Sequence, residues 1–137
     1  MQRKTALFVA TDAIALVLFA VIGHASHHRG LGLHGLARDA LPFLLGWFVV
    51  AAVVGTYRRP AWPRFLVTWI AGVSAGVFVR GLVLHRHVLG GRYLTFLAVA
   101  LTATFVLTLA FRAVATVLTR SLALRRIAAP SGQRGRR

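Results

Sequence analysis

Three charged residues lie inside long apolar stretches of this sequence, and they are the residues best placed to do chemistry: Asp12, Arg80 and Arg112. A charge at membrane depth costs roughly 2.5–3.5 kcal/mol on insertion scales, so it marks an ion pair or an ion pathway. At a rise of 1.5 Å per residue, Asp12 and Arg112 differ in depth by less than about 10 Å, and Asp12 and Arg80 by about 14 Å. The sequence therefore predicts an Asp12–Arg112 pair. The alternative is an unpaired Asp12 that binds a proton or cation.

Small and polar residues recur at four-residue spacing in the third and fourth apolar stretches. Gly72, Gly76 and Arg80 form one stripe, and a Gly-x-x-x-Gly pattern lets another helix approach closely. We expect this stripe to pack against a neighbouring helix and Arg80 to face the interior. Thr104 and Thr108 lie on a similar stripe, which indicates either helix packing or a polar path through the membrane.

The histidines all map to one side of the predicted membrane: His24, His27, His28, His34, His85 and His87. His24, His27 and His28 have the i, i+3, i+4 spacing of one helix face and are weak candidates for a metal site. Solvated interfacial histidines are the favoured interpretation, and a metal site or a pH sensor is the alternative. The chain has no cysteine, so thiolate ligands are excluded, and we predict no cofactor.

Four apolar stretches must position these residues, in a chain that is 58% hydrophobic and far above the level of soluble domains. Each is long enough to cross a hydrocarbon core of roughly 30 Å. The fold class is predicted as an all-α integral membrane four-helix bundle (residues 1–123) with a basic, disordered tail. The four spans lie at about 5–23, 40–57, 65–84 and 93–119, and the tail comprises residues 124–137.

Two details concern the ends of these spans. The first stretch could be a signal peptide, but it is long and carries Asp12, which favours a retained anchor. Asp39 is placed to cap the N-terminus of the second helix, and Pro42 then falls in its first turn, where a missing N–H removes no helical bond.

The net charge of +15 has an uneven distribution that sets the orientation. Eleven Lys and Arg residues lie on the side of the termini and four on the other side. This bias predicts that both termini are cytoplasmic, in a plasma membrane protein whose basic segments contact anionic lipids. A nucleic-acid role is disfavoured because topology accounts for most of the charge.

Several short motifs are similar to those of the domain of unknown function 3054 family, which comprises small prokaryotic membrane proteins with four predicted spans. They are Asp12, the run Phe19 to Gly23, Ser26-His27, Pro42-Phe43, Trp69, Gly76, Arg80, Phe96 and Arg112. The chain departs from the family pattern at His24, where we expect Arg, and at Phe111, where we expect Trp. The resemblance implies the four-span architecture and supplies no activity.

These features favour a bundle without catalytic chemistry, either a small membrane scaffold or an accessory subunit. Its partners would be a second copy of the chain or a larger membrane complex. The alternative is an oligomeric transporter or channel for a proton, cation or small solute that uses Asp12. An enzyme is disfavoured because one buried acid and external histidines do not supply a base and a nucleophile at one depth.

Overall fold

Four α-helices make up the described part of the chain, residues 2–25, 32–84 and 91–128 of a computed structural model. They are α1 (Gln2–Ala25), α2 (Leu33–Val54), α3 (Trp62–Val83) and α4 (Gly91–Ala128). All four are long and apolar enough to cross a membrane. The predicted all-α fold with four candidate spans is therefore confirmed, and it indicates a multi-pass membrane protein. Helix α4 extends into the segment predicted as a tail, and residues 129–137 lie outside the described residues.

The helices form a ring in chain order. Helix α2 packs most extensively on α3 and α1 on α4, and the contacts of α1 with α2 and of α3 with α4 close the ring. Residues 55–61 join α2 to α3, and Gly55 ends α2 in the left-handed region (φ 71°), which favours glycine. We call the end of the bundle with this connection and the start of α1 the lower end, and the opposite end the upper end.

The α2–α3 contact depends on three glycines that bring the two backbones together. A Cβ atom on Gly46 would lie 2.5 Å from the Gly72 carbonyl oxygen. One on Gly72 would lie 2.9 Å from the Cα of Trp47, and one on Gly76 would lie 2.9 Å from the Cα of Phe43. Gly72 and Gly76 are thus at a close helix contact, as expected from their spacing. Gly46, which supplies the opposing surface, was not singled out from the sequence.

Helix α2 begins earlier than the sequence suggested, and this changes the role of Asp39. The helix starts at Leu33 after an extended Gly32, so Asp39 lies in the helix and caps nothing. The predicted cap was wrong because Pro42 was assigned to the first turn. Pro42 instead lies inside the helix, where the Arg38 carbonyl lacks its usual i+4 N–H donor.

Aromatic side chains fill the centre of the ring between the two ends. Trp47 and Phe43 are the largest fully buried side chains, and Phe43 meets the ring of Phe19 edge-on at 5.1 Å. On the opposite wall, Trp69 donates its indole N–H to the Leu101 carbonyl oxygen at 3.0 Å, joining α3 to α4. The packed centre separates the charged residues into a lower group and an upper group.

Candidate functional site

The first charged group joins α1 to α4 at the lower end. Arg112 donates from Nε to Oδ1 of Asp12 at 2.8 Å and from Nη2 to Oδ2 at 2.5 Å. Asp12 is fully buried, whereas the Arg112 side chain is 20% exposed. The pair predicted from depth is therefore present, with the two-pronged geometry that guanidinium and carboxylate favour. The pair joins residues 100 positions apart in sequence.

Tyr57, in the connection after α2, adds a third segment of the chain to this pair. Its hydroxyl donates to Oδ2 of Asp12 at 2.7 Å and accepts the indole N–H of Trp47 at 2.9 Å. Burial raises the pKa of the Tyr57 hydroxyl, and the Asp12 carboxylate raises it further, so the hydroxyl keeps the proton that it donates. Asp12, Arg112, Tyr57 and Trp47 form what we call the Asp12 cluster. Sequence patterns did not single out Tyr57, and its polar hydroxyl near the same end as Asp12 was the one available signal.

Aromatic rings complete the surroundings of the Arg112 guanidinium. Its central carbon lies 4.4 Å from the ring centroid of Phe65 on α3 and 5.4 Å from that of Phe8 on α1. Such cation–π contacts contribute about 0.5–2 kcal/mol, more where water is excluded. Arg112 also lines an open cavity of about 690 Å³ at the lower end, and Asp12 does not. The carboxylate is therefore closed off, and its partner is accessible.

The second charged group, which we call the Asp39 cluster, lies at the upper end. Asp39 accepts from Arg80 Nε at 3.0 Å through Oδ1 and contacts His24 Nδ1 at 3.0 Å through Oδ2. A carboxylate accepts but does not donate, so the proton of this contact resides on Nδ1. The Arg80 guanidinium also lies 4.9 Å from the Phe96 ring centroid on α4. Arg80 thus faces the interior, as its stripe predicted, but its acidic partner was missed.

His24 is the histidine for which the structure differs most from expectation. It is buried at 5% exposure against Asp39, whereas solvated histidines were the main expectation. His27 and His28, the other weak metal candidates, lie outside the described residues. In the ranges that are described, no group of three or more metal-ligating side chains comes together. The structure therefore places His24 in an ion-pair cluster.

The threonine stripe on α4 takes part in packing. Thr104 and Thr108 are fully buried, and each donates its hydroxyl to the backbone carbonyl four residues earlier, at 2.6 Å and 2.7 Å. Thr116 donates in the same way to the Arg112 carbonyl oxygen at 2.7 Å. These hydroxyls satisfy their own helix, which is how polar side chains are accommodated among apolar neighbours. The alternative of a polar path along α4 has no support from these contacts.

The two clusters engage both carboxylate side chains of the chain, since Asp12 and Asp39 are its only acids. Each carboxylate is held by an arginine from another helix and by a third polar side chain. The arrangement can hold helices in register and neutralise buried charge. It sets no nucleophile against a base within the described residues.

Comparison with known proteins identifies the family. A family model described as "Protein of unknown function (DUF3054)" matches residues 9–115, which is most of the chain and includes both clusters. The chain therefore belongs to this family, as its motifs suggested. No curated protein and no solved structure matches it.

Proposed function

We propose that this member of the DUF3054 family is a membrane scaffold or accessory subunit without catalytic activity of its own. The observation that carries the proposal is the neutralisation of both acids by arginines on other helices. Asp12 is fully buried in a closed contact, which is the environment expected of a structural pair rather than of an ion-binding carboxylate. Ionisable residues in transmembrane segments usually pair with one another or mark a transport path.

The close packing of the bundle supports this proposal. Glycines hold the α2 and α3 backbones in contact, and the two clusters fasten both ends of the ring. Opening a path through the centre would require the separation of Trp47 and Phe43, which are fully or almost fully buried. A protein that alternates between two states needs an element with two arrangements of similar energy. A bundle whose helices are joined by ion pairs at both ends is better suited to present a fixed docking surface than to alternate between two states.

The orientation completes the proposal: both termini lie in the cytoplasm of a prokaryotic cell, and the lower end faces the anionic lipids of the plasma membrane. The excess of Lys and Arg at this end supports it. The absence of native cysteine permits a direct test with Arg59→Cys and Gly91→Cys, both at exposed positions near opposite ends. An impermeant maleimide should label Gly91→Cys in whole cells and Arg59→Cys only after permeabilisation. The reverse pattern would contradict the orientation.

The partner is either a second copy of the chain or a larger membrane complex, and purification tests this directly. Protein tagged at its C-terminus and extracted from native membranes in a mild detergent should carry a partner, or a second differently tagged copy, at constant stoichiometry. Arg112→Gln should disturb the bundle and reduce recovery of the partner, whereas Arg120→Gln, an exposed change on the same helix, should not. Purified monomer with no reproducible partner would argue against a scaffold.

One observation favours the second candidate, a small transporter. The cavity at the lower end reaches Arg112, so solute could approach the Asp12 cluster from one side of the membrane. Proteoliposomes loaded with a pH-sensitive dye separate the two candidates. A scaffold should give the proton leak of empty liposomes with wild-type protein and with Asp12→Asn. Flux in the wild type that Asp12→Asn abolishes would replace the scaffold with a transporter.

A further inference from the structure

The cavity at the lower end combines an apolar wall with two arginines. Its volume of about 690 Å³ is within the range of small-molecule sites. Phe8 and Val117 contribute to the apolar lining, as does Trp62, which is 55% exposed. Arg58 and Arg112 supply the charge. This combination suits a ligand with an anionic head and an apolar body.

Both arginines have side-chain N–H groups that make no hydrogen bond within the described residues. Arg112 donates to Asp12 from Nε and Nη2, and within the described residues its Nη1 has no hydrogen-bond partner. The exposed Arg58 side chain likewise has no polar partner in the described part of the chain. With Asp12 balancing one of the two charges, the cavity carries a net charge of about +1, which favours an anion with a single charge.

The location of the cavity argues for a lipid. Its lining includes Thr5 and Trp62, the first residues of two candidate spans, so it lies where an apolar span meets the headgroup layer. Tryptophan at the edge of a span is typical of this layer. The C-terminal segment of the chain is a poor occupant because Arg134, Arg136 and Arg137 give it the same sign of charge as the cavity.

We propose that this cavity binds one anionic phospholipid, with its phosphate between Arg58 and Arg112 and an acyl chain along Phe8 and Val117. Arg112 then serves both the Asp12 cluster and the lipid, since its remaining N–H groups face the phosphate. A zwitterionic lipid is a weaker ligand because its ammonium group adds a positive charge beside two arginines. This inference holds for a scaffold and for a transporter alike.

Native mass spectrometry of protein released from nanodiscs tests the proposal. The nanodiscs contain phosphatidylcholine with a minor fraction of phosphatidylglycerol, and the readout is the number and type of lipids retained. Wild-type protein should retain one phosphatidylglycerol well above its share of the bilayer. Arg58→Gln should weaken retention about fivefold, the effect of one basic residue near a charged membrane surface. Arg59→Gln, the same change at the next residue and outside the cavity lining, should retain lipid as the wild type does.

A second pair of variants tests the cavity without changing charge. Ala113 lines the cavity and Ala110 does not, although both are exposed on α4. Ala113→Trp should lose the retained lipid, and Ala110→Trp should keep it. Equal retention in the two arginine variants, or equal retention of the two lipid types by the wild type, would overturn the proposal. Displacement of the lipid by millimolar inorganic phosphate would also overturn it, because the acyl chain would then contribute nothing.

Discussion

Removing the two partners of the Asp12–Arg112 pair one at a time should have unequal effects. Arg112→Gln leaves a fully buried carboxylate with Tyr57 as its remaining partner, and breaking a buried pair in this way costs about 3–5 kcal/mol. Asp12→Asn leaves a guanidinium that is 20% exposed and borders an open cavity, where water or a headgroup can solvate it. Interhelical polar contacts in membranes contribute about 0.6–2 kcal/mol, so we expect Asp12→Asn to cost near the upper end of that range.

Equilibrium unfolding in mixtures of dodecyl maltoside and SDS, followed by tryptophan fluorescence, gives the free energy of unfolding for each variant. The double variant should be destabilised less than the sum of the singles, with a coupling of about 2 kcal/mol, because neutral Asn and Gln leave no buried charge. Arg120→Gln controls for the loss of one positive charge on α4. Equal costs for Asp12→Asn and Arg112→Gln, or strictly additive costs in the double variant, would refute the reasoning. Exchanging the two charges is a weaker test, since Tyr57 donates specifically to the α1 position.

Three further changes test the packing and the polar contacts by the same unfolding measurement. Gly46→Val should separate α2 from α3 and destabilise the bundle by more than about 3 kcal/mol, because the new side chain would meet backbone atoms of α3. As a control, Gly23→Ala should be within about 1 kcal/mol of the wild type, because a Cβ atom there would have no atom within 4 Å. Similar effects at both positions would contradict the close contact. Tyr57→Phe should cost about 1–2 kcal/mol because Asp12 loses a donor, and an unchanged free energy of unfolding would show that the hydrogen bond adds nothing. Arg80→Gln should cost about 3–5 kcal/mol because it leaves the buried acid of α2 with His24 alone, and a loss as small as that of an exposed arginine would contradict its role.

Depth along a helix was sufficient to predict the ion pair of the Asp12 cluster, and the ion pair of the Asp39 cluster was missed. The Asp12–Arg112 prediction required only that α1 and α4 are uninterrupted helices, which they are. The Asp39–Arg80 contact depended on where α2 begins, and taking Pro42 as a first-turn residue moved Asp39 outside the helix. A usable signal was present: the chain has one other acid, and it lies near the same end as Arg80.

The remaining features of the site depend on which helices are neighbours, and the sequence contains little information about that. Gly72 and Gly76 indicated a close contact without naming the opposing helix, so Gly46 could not be recognised as its other half. Tyr57 reaches Asp12 only because the turn after α2 lies beside α1. Such contacts follow from the packing order of the ring, which single-helix patterns do not determine.

The clusters determine this packing order more strongly than apolar packing can. Lipid tails are as apolar as Leu or Val, so burying such side chains between helices adds little specificity in a membrane. Each cluster, by contrast, together with the aromatic side chain that its arginine contacts, involves residues from all four sides of the ring. At the lower end the Asp12–Arg112 pair joins α1 to α4. Tyr57, after α2, donates a hydrogen bond to Asp12, and the Arg112 guanidinium lies over the aromatic ring of Phe65 on α3.

At the upper end the Asp39–Arg80 pair of α2 and α3 meets His24 on α1 and Phe96 on α4. The ion pair therefore joins α1 to α4 at the lower end and α2 to α3 at the upper end. At each end, the other two sides of the ring supply the remaining contacts of the ion pair. Sliding one helix by a single residue moves its side chains by about 1.5 Å and disturbs a hydrogen bond or a cation–π contact at each end. Two acids are sufficient to fix the register of four helices because each one is shared in this way.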